Sequence, residues 1–564
     1  MQRLRESLTR RIGITSNNPL MDREHRVAAE QGKLDSTEPA ADDLAAVLNA
    51  VLGEMRAGKF LEAQMLCRQL LERSPDNPEI LHLMGLVCFN AGQFDHAVEW
   101  ASRALRNDAK PAYLTTLGTA LLNLGRRDDA VRVFDKAVQL KPDDATLWSN
   151  LAHALIESGR IPDALLCRAR AHQLDPQNPK IRNDLGHGFM LLGRHEEALS
   201  WFDRALEVRP DTVETLNNKA FSLARLHRFD EAFAVYARSK AAAPDNAWTD
   251  FNVALLQMLT GSFTAGWLGR EARLRLQPYP DFRQPRWFGD QDIAGKTILL
   301  YADEGLGDSI QFIRYVPMVT ARGARVALVV EEALCALLAS LPGVAECVSK
   351  QAALPAFDLH CPISSLPLVF NTTLETIPAS ASYLPQPAED RVRRWEERLG
   401  PHQTLRVGLV WSGNPRHIND RDRSMRLREM LPILEVGATF VSLQKDPRPG
   451  DKVTLAGTRI IDWTSELADF VETAALVSCL DLVITVDTSV AHLAAALGRP
   501  TWILLPHTPD YRWLLGRDDS PWYPTVHLFR QSESRDYADV VARIRAVLAE
   551  LAAKCSPGRP ALVE

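Results

Sequence analysis

Three short segments in the second half of the chain gather residues able to hold an anion and accept a proton. The first is EGLGDSI (304–310), a turn into a predicted helix with Asp308 near its start. The second is WSGNPRHINDRDRS (411–424), which follows an apolar run and carries Arg416, His417, Arg421 and Arg423. The third is VDTSVAHLAAALGRP (486–500), in which Asp487, Thr488 and Ser489 open a predicted helix and His492 follows one turn later. A helix start presents free N–H groups and the positive end of the helix dipole, so the turn at Ser489 suits a phosphate. Thr488 and Ser489 add hydroxyl donors, His492 an imidazole titrating near neutrality, and Arg423 a guanidinium that matches phosphate oxygens. Gln444 and Lys445 are weaker candidates, for contact with a nucleotide. Each residue alone also reads as a helix cap or a core histidine; it is the set that points to an anion site. Asp420 and Asp422 form a DxD pair, a spacing open to a metal site or to charge patterning.

The elements that must position these segments are short apolar runs alternating with helical stretches: TILLYA, RVALVV and FDLHC, then LRVGLVW, TFVSLQ, RIIDW, DLVITVD and PTWILLP. That alternation predicts parallel sheets with covering helices, and ligands of such sheets bind beyond the carboxyl ends of the strands. Two open α/β lobes are expected, 293–385 and 400–550. A dinucleotide oxidoreductase is disfavoured, because Gly305-Leu306-Gly307-Asp308-Ser309-Ile310 lacks the third glycine of G-x-G-x-x-G and sets an acid where pyrophosphate would approach.

The turn GLGDSI and the run DLVITVDTSVAHLAAALGRPTWILLP resemble the heptosyltransferase-type glycosyltransferases, family 9, whose fold is GT-B with two Rossmann-like lobes. The resemblance implies a nucleotide sugar held mainly by the second lobe and an acceptor on the first, with inverting, metal-independent transfer. It makes Asp308 the general base or, alternatively, a stabiliser of positive charge on the sugar. A carboxylate at a helix start is made more acidic by the dipole, which weakens the first role. Arg423, Asp487, Thr488, Ser489, His492 and Lys445 become the donor-binding set, with the nucleotide sugar as co-substrate and no cofactor or metal expected. Ser489 stands where the family often has glycine. The segment HTPDYRWLLGRDDSPWYPTVHLF adds Arg512 and the rings of Tyr511, Trp513 and Trp522, which pack a loop or stack on a base or sugar.

Before residue 275 the pattern is different. Gly58, Gly92, Gly125, Gly159 and Gly193 recur at steps of 34, 33, 34 and 34, with His227 and Gly261 in the next two places. Five residues past these positions stand Ala63, Ala97, Ala130, Ala164, Ala198 and Ala232, with Gly266 in the seventh place. Pro75, Pro142, Pro176, Pro210 and Pro244 follow twelve residues after the alanines. Glycine ends a first helix, alanine lets a second cross closely, and proline closes the unit. The register resembles the tetratricopeptide repeat and predicts an α-solenoid over 43–275, an architecture that binds partners on a concave face. Nine residues before the glycine positions lie Asn150, Asp184, Asn218 and Asn252. They are similar to the asparagine ladder with which the O-GlcNAc transferase solenoid binds extended peptides, and they read equally as a solvated polar groove.

Prolines 278, 280 and 285 predict a linker over 276–292, and polar stretches predict loose tails at 1–42 and 551–564. The 564 residues exceed a single core, and 65 basic against 71 acidic side chains give a formal charge of −6, without a bulk field for nucleic acid or an anionic membrane. Eight scattered cysteines without CxxC spacing, no secretory h-region and no 18-residue apolar run lead to the expectation of a cytoplasmic protein without membrane insertion. The combined expectation is a glycosyltransferase acting on a protein held by the repeats. Its rival is a non-catalytic repeat scaffold with a nucleotide-sugar-binding or degenerate GT-B domain.

Overall fold

The computed structural model describes residues 41–415, 417 and 419–554. The amino-terminal tail up to 40, Arg416 of the basic loop and the carboxy-terminal tail from 555 lie outside the described residues. The chain divides into two compact units, Met1–Thr249 and Asp250–Glu564.

The first unit is a run of antiparallel helix pairs, from Ala41–Arg56 and Phe60–Arg73 to Val213–Arg225 and Phe229–Ala242. The glycine at the bend of each pair takes a left-handed conformation, with φ between 72° and 79° from Gly58 to Gly193. His227 adopts φ 59° in the same place, so the backbone geometry of the bend is kept without glycine. Ala63, Ala97, Ala130, Ala164, Ala198 and Ala232 are all buried, at the crossing points the period assigns to them. A larger side chain there would push the paired helices apart.

The second unit begins inside the helix Ala247–Leu259 and continues through the helices Phe263–Arg270 and Arg273–Leu276. At Gly266, the seventh place of the alanine series, a Cβ would lie 2.1 Å from Met258 Cγ, which explains the loss of even a methyl. Although the period runs to 275, these two helices are fastened to the first lobe: Trp267 is buried and its indole N–H donates to the Thr372 carbonyl at 3.0 Å. The predicted linker is also built into that lobe. Trp287 is fully buried, its backbone N–H donates to the His360 carbonyl at 2.8 Å, and the His360 backbone N–H donates to the Pro285 carbonyl at 3.2 Å. The prolines break the helix as expected, while the aromatic residues between them supply apolar surface to bury.

Two parallel sheets follow. The first, in the order β3-β2-β1-β4, comprises β1 (Thr297–Tyr301), β2 (Arg325–Val330), β3 (Val344–Ser349) and β4 (Leu359–Pro362). The second has the order β6-β5-β7-β8-β9, with β5 (Arg406–Val410), β6 (Thr439–Ser442), β7 (Leu482–Val486), β8 (Thr501–Leu505) and β9 (Val526–Arg530). β1, β5 and β7 are buried along nearly their whole length, as strands covered on both faces must be. The terminal helix Tyr537–Lys554 sets Val540, Val541, Ile544 and Leu548 into the core of the second lobe.

Candidate functional site

In the second sheet, the chain leaves β5 toward β6 on one side, while β7 continues on the other, so β5/β7 is the switch point where open α/β sheets bind ligands. The segments after these two strands are the basic loop and the DTS turn. They meet directly: Arg423 donates to the Asp487 carbonyl at 3.2 Å. The Arg423 guanidinium also lies so close to Gly413 that a Cβ there would sit 2.7 Å from a terminal nitrogen. Arg423 Nε is buried and has no acceptor among the described residues. Thr488 is the cap residue of the helix Ser489–Ala496, yet its side chain makes no cap bond and its hydroxyl instead contacts Thr485 Oγ1 at 3.1 Å. The first amides of that helix are thus left to another acceptor. Ser489 is half-buried at the first helical position.

His492 is buried in the same helix. Its Nδ1 pairs with the Tyr523 hydroxyl at 2.8 Å, its ring stacks on Trp513 with centroids 5.6 Å apart, and its Nε2 lies 3.9 Å from Asp487 Oδ1. Burial, reinforced by Arg512, Arg314 and Arg423, holds its pKa well below the ordinary histidine value, so it is a neutral imidazole near pH 7. Asp487 is raised, first by burial and then by Asp510.

The first lobe reaches this helix through the turn after β1. Asp308, in the helix Leu306–Phe312, accepts the Gly305 N–H at 3.0 Å through Oδ2. Its Oδ1 is paired with Arg512, whose guanidinium also bonds Gln311 and, at 2.8 Å, Asp510. The helix dipole alone would make this carboxyl more acidic. Burial reverses that and, against the pull of Arg512 and with the help of Glu304, pushes it up to about 6. Arg512 itself stays charged; burial works against the cation, but Asp308 and Asp510 outweigh it.

The remaining residues singled out in the sequence are engaged in contacts of their own. Gln444 Oε1 accepts the N–H groups of Trp411 and Ser412, at 3.2 and 2.9 Å, and so fixes the end of β5. Lys445 is exposed, with its ammonium 3.3 Å from the Ala468 carbonyl. Asp420 is bonded to Ser424 and Arg448. Trp513 and Trp522 are fully buried and Tyr511 nearly so; these rings pack the loop. Sequence spacing gave no role to Arg512 or Tyr523, because they meet Asp308 and His492 across 204 and 31 residues and follow no local pattern.

In the first unit, Asn150, Asp184 and Asn218 are half-buried on successive first helices, Ala145–Glu157, Pro179–Leu191 and Val213–Arg225. Asp184 pairs with Lys180 at 3.1 Å, and Asn218 donates to Asn183 Oδ1 at 3.2 Å. Asn252, also half-buried, falls in the second unit.

Residues 54–119 and 91–242 match models of the tetratricopeptide repeat. The helical half is a tetratricopeptide-repeat solenoid. Behind these repeats, residues 467–541 match the model of glycosyltransferase family 9 (heptosyltransferase), the stretch containing β7, the Ser489 helix and the Arg512 loop. At that coarse level the second α/β lobe carries glycosyltransferase sequence. A curated relative, protein FlbA of Caulobacter vibrioides (strain ATCC 19089 / CIP 103742 / CB 15), is 28% identical over 342 residues, 54% of this chain. The chain spans 56% of that relative's length. Among solved structures, MamA 41-end from Desulfovibrio magneticus RS-1 is 22% identical and covers 31% of this chain and 99% of its own, with a TM-score of 0.29. A tetratricopeptide repeat protein from Parabacteroides merdae ATCC 43184 is 12% identical, covering 42% and 94%, with a TM-score of 0.38. Among the described residues no helix is long and apolar enough to cross a membrane.

Proposed function

We propose that this chain transfers a sugar from a nucleotide sugar to an acceptor hydroxyl, with inversion and without a metal, and that the acceptor is a polypeptide held by the repeats. The observation that carries the reading is the Arg423–Asp487 contact at the β5/β7 switch point, beside a helix start whose cap side chain leaves its amides open. The donor diphosphate lies against that start, where Arg423, the Ser489 hydroxyl and the neutral His492 donate hydrogen bonds. These donors stabilise the negative charge that grows on the departing diphosphate.

Asp308 accepts the proton of the acceptor hydroxyl while its oxygen attacks the anomeric carbon. The carbon–oxygen bond to the diphosphate breaks with its electron pair going to the leaving group. A carboxyl titrating near 6 is ionised at neutral pH yet retains basicity, and such proton transfer is typically worth about 10²- to 10⁴-fold.

One observation favours the scaffold as a second reading: both Asp308 oxygens already have partners, in Gly305 N–H and Arg512. Release of nucleoside diphosphate from a panel of nucleotide sugars, with and without polypeptide acceptors, separates the two. Turnover that Asp308→Asn abolishes supports the transferase; donor binding without turnover supports the scaffold.

A further inference from the structure

The turn that presents Asp308 contains two more carboxylates, Asp303 and Glu304, and both are largely buried. Their side chains are 5% and 15% exposed. Each is met by an arginine from the helices that precede the lobe. Arg273 donates from Nε to Asp303 Oδ2 at 2.8 Å, and from a terminal nitrogen to Ser365 Oγ at 2.7 Å. Arg270 pairs with the Glu304 carboxylate and donates to the Ser364 carbonyl at 3.2 Å.

Arg270 is 2% exposed, and its guanidinium carbon lies 5.5 Å from the ring centre of Tyr511, 5.6 Å from that of Phe312 and 5.8 Å from that of Trp267. Phe312 ends the Asp308 helix, and Tyr511 immediately precedes Arg512. One buried cation therefore touches the Asp308 turn through Glu304, the far end of the Asp308 helix, and the loop that supplies the partner of Asp308. A cation so fully desolvated is retained at a cost that a packed apolar side chain would avoid.

We propose that Arg270 is a positioning residue for Asp308: by holding Glu304 it fixes the turn and sets how readily the Asp308 carboxyl gives up its proton. The inference rests on the reading of Asp308 as the proton acceptor, but its physical content concerns one carboxyl and needs no substrate. The charged groups acting most strongly on Asp308 are Arg512 and Asp510 of the loop before β9, Glu304 of its own turn, and Arg270. The neutral His492 packs against Gly307 beside it. In this set Arg270 and Glu304 act on Asp308 with opposite sign.

The test is the titration of the Asp308 carboxyl in the full chain, followed by ¹³C NMR of aspartate-labelled protein and assigned with Asp308→Asn. Arg270→Met is expected to move the Asp308 midpoint up, and Glu304→Gln to move it down, each by roughly one pH unit, the lower end of the effect of a nearby charge. Arg270→Met leaves Glu304 buried and unpaired, so the double variant Arg270→Met/Glu304→Gln, which removes both charges, guards against a folding failure; its midpoint is expected near that of the wild type. Shifts of one common sign, or no shift in either single variant, overturn the proposal. Opposed shifts in a protein that turns over no nucleotide sugar would leave the positioning role standing and count against the transferase alone.

Discussion

A Cβ on residue 307 would lie 2.8 Å from His492 Cδ2, so the first-lobe helix that bears Asp308 and the second-lobe helix that bears His492 meet where only glycine fits. Gly307 does not have a positive φ; what it supplies is the close approach. Gly307→Ala must move one helix or turn the His492 ring away from Trp513 and Tyr523. The expected result is a loss of about 1–3 kcal/mol in denaturant unfolding, as for overpacking of a tight core, and a fall in transfer rate larger than any loss of donor affinity.

Asp308→Asn keeps the shape of the turn but removes the proton acceptor. Transfer is expected to fall by about 10²- to 10⁴-fold, while calorimetric donor binding changes little. The pH dependence follows from the same group. A base works only when ionised, so with its pKa pushed up to about 6 the wild-type kcat/KM should decline as pH falls through 6 and level off above it. His492, held far lower, contributes no second inflection in that range.

Arg423→Ala removes a guanidinium whose Nε has no protein acceptor among the described residues. A hydrogen bond to a charged group is worth about 1.5–3 kcal/mol, so the dissociation constant of the nucleoside diphosphate should rise roughly 10- to 100-fold. Raising the salt concentration should weaken the wild type more than the variant, since the lost attraction is ionic.

Asn150→Ala and Asn218→Ala test the repeat groove. Each lost hydrogen bond, at about 1 kcal/mol, should raise KM for a polypeptide acceptor roughly fivefold and leave nucleotide-sugar hydrolysis in water unchanged. Equal losses in both reactions would mean that these side chains serve folding and not the acceptor.

The sequence makes the repeats plain because each hairpin repeats the same local constraint: a left-handed bend, a small crossing residue and a closing proline. Most of the apolar runs likewise become strands of the two sheets, but RIIDW gives only a bridge from Ile461 to Val441, and β3 and β9 lie outside the runs. The segments holding Arg423 and Asp487 meet beyond β5 and β7. Long-range pairing was not legible. Arg512 lies in a loop that reads as aromatic packing, and Arg270 in what reads as the last repeat, yet both act at the Asp308 turn. The acidity expected of Asp308 from its helix position was reversed by burial, a property of the assembled lobes that no local spacing encodes. Prolines 278, 280 and 285 break the helix, but Phe282 between them and Trp287 after them pack against the lobe.

Calorimetric titration of the full chain with a panel of nucleoside diphosphates, repeated on Arg423→Ala, tests the central claim most directly. The predicted result is that at least one diphosphate binds the wild type and binds the variant roughly 10- to 100-fold more weakly. No binding by any member of the panel, or equal binding by both proteins, would contradict a donor site at the Ser489 helix.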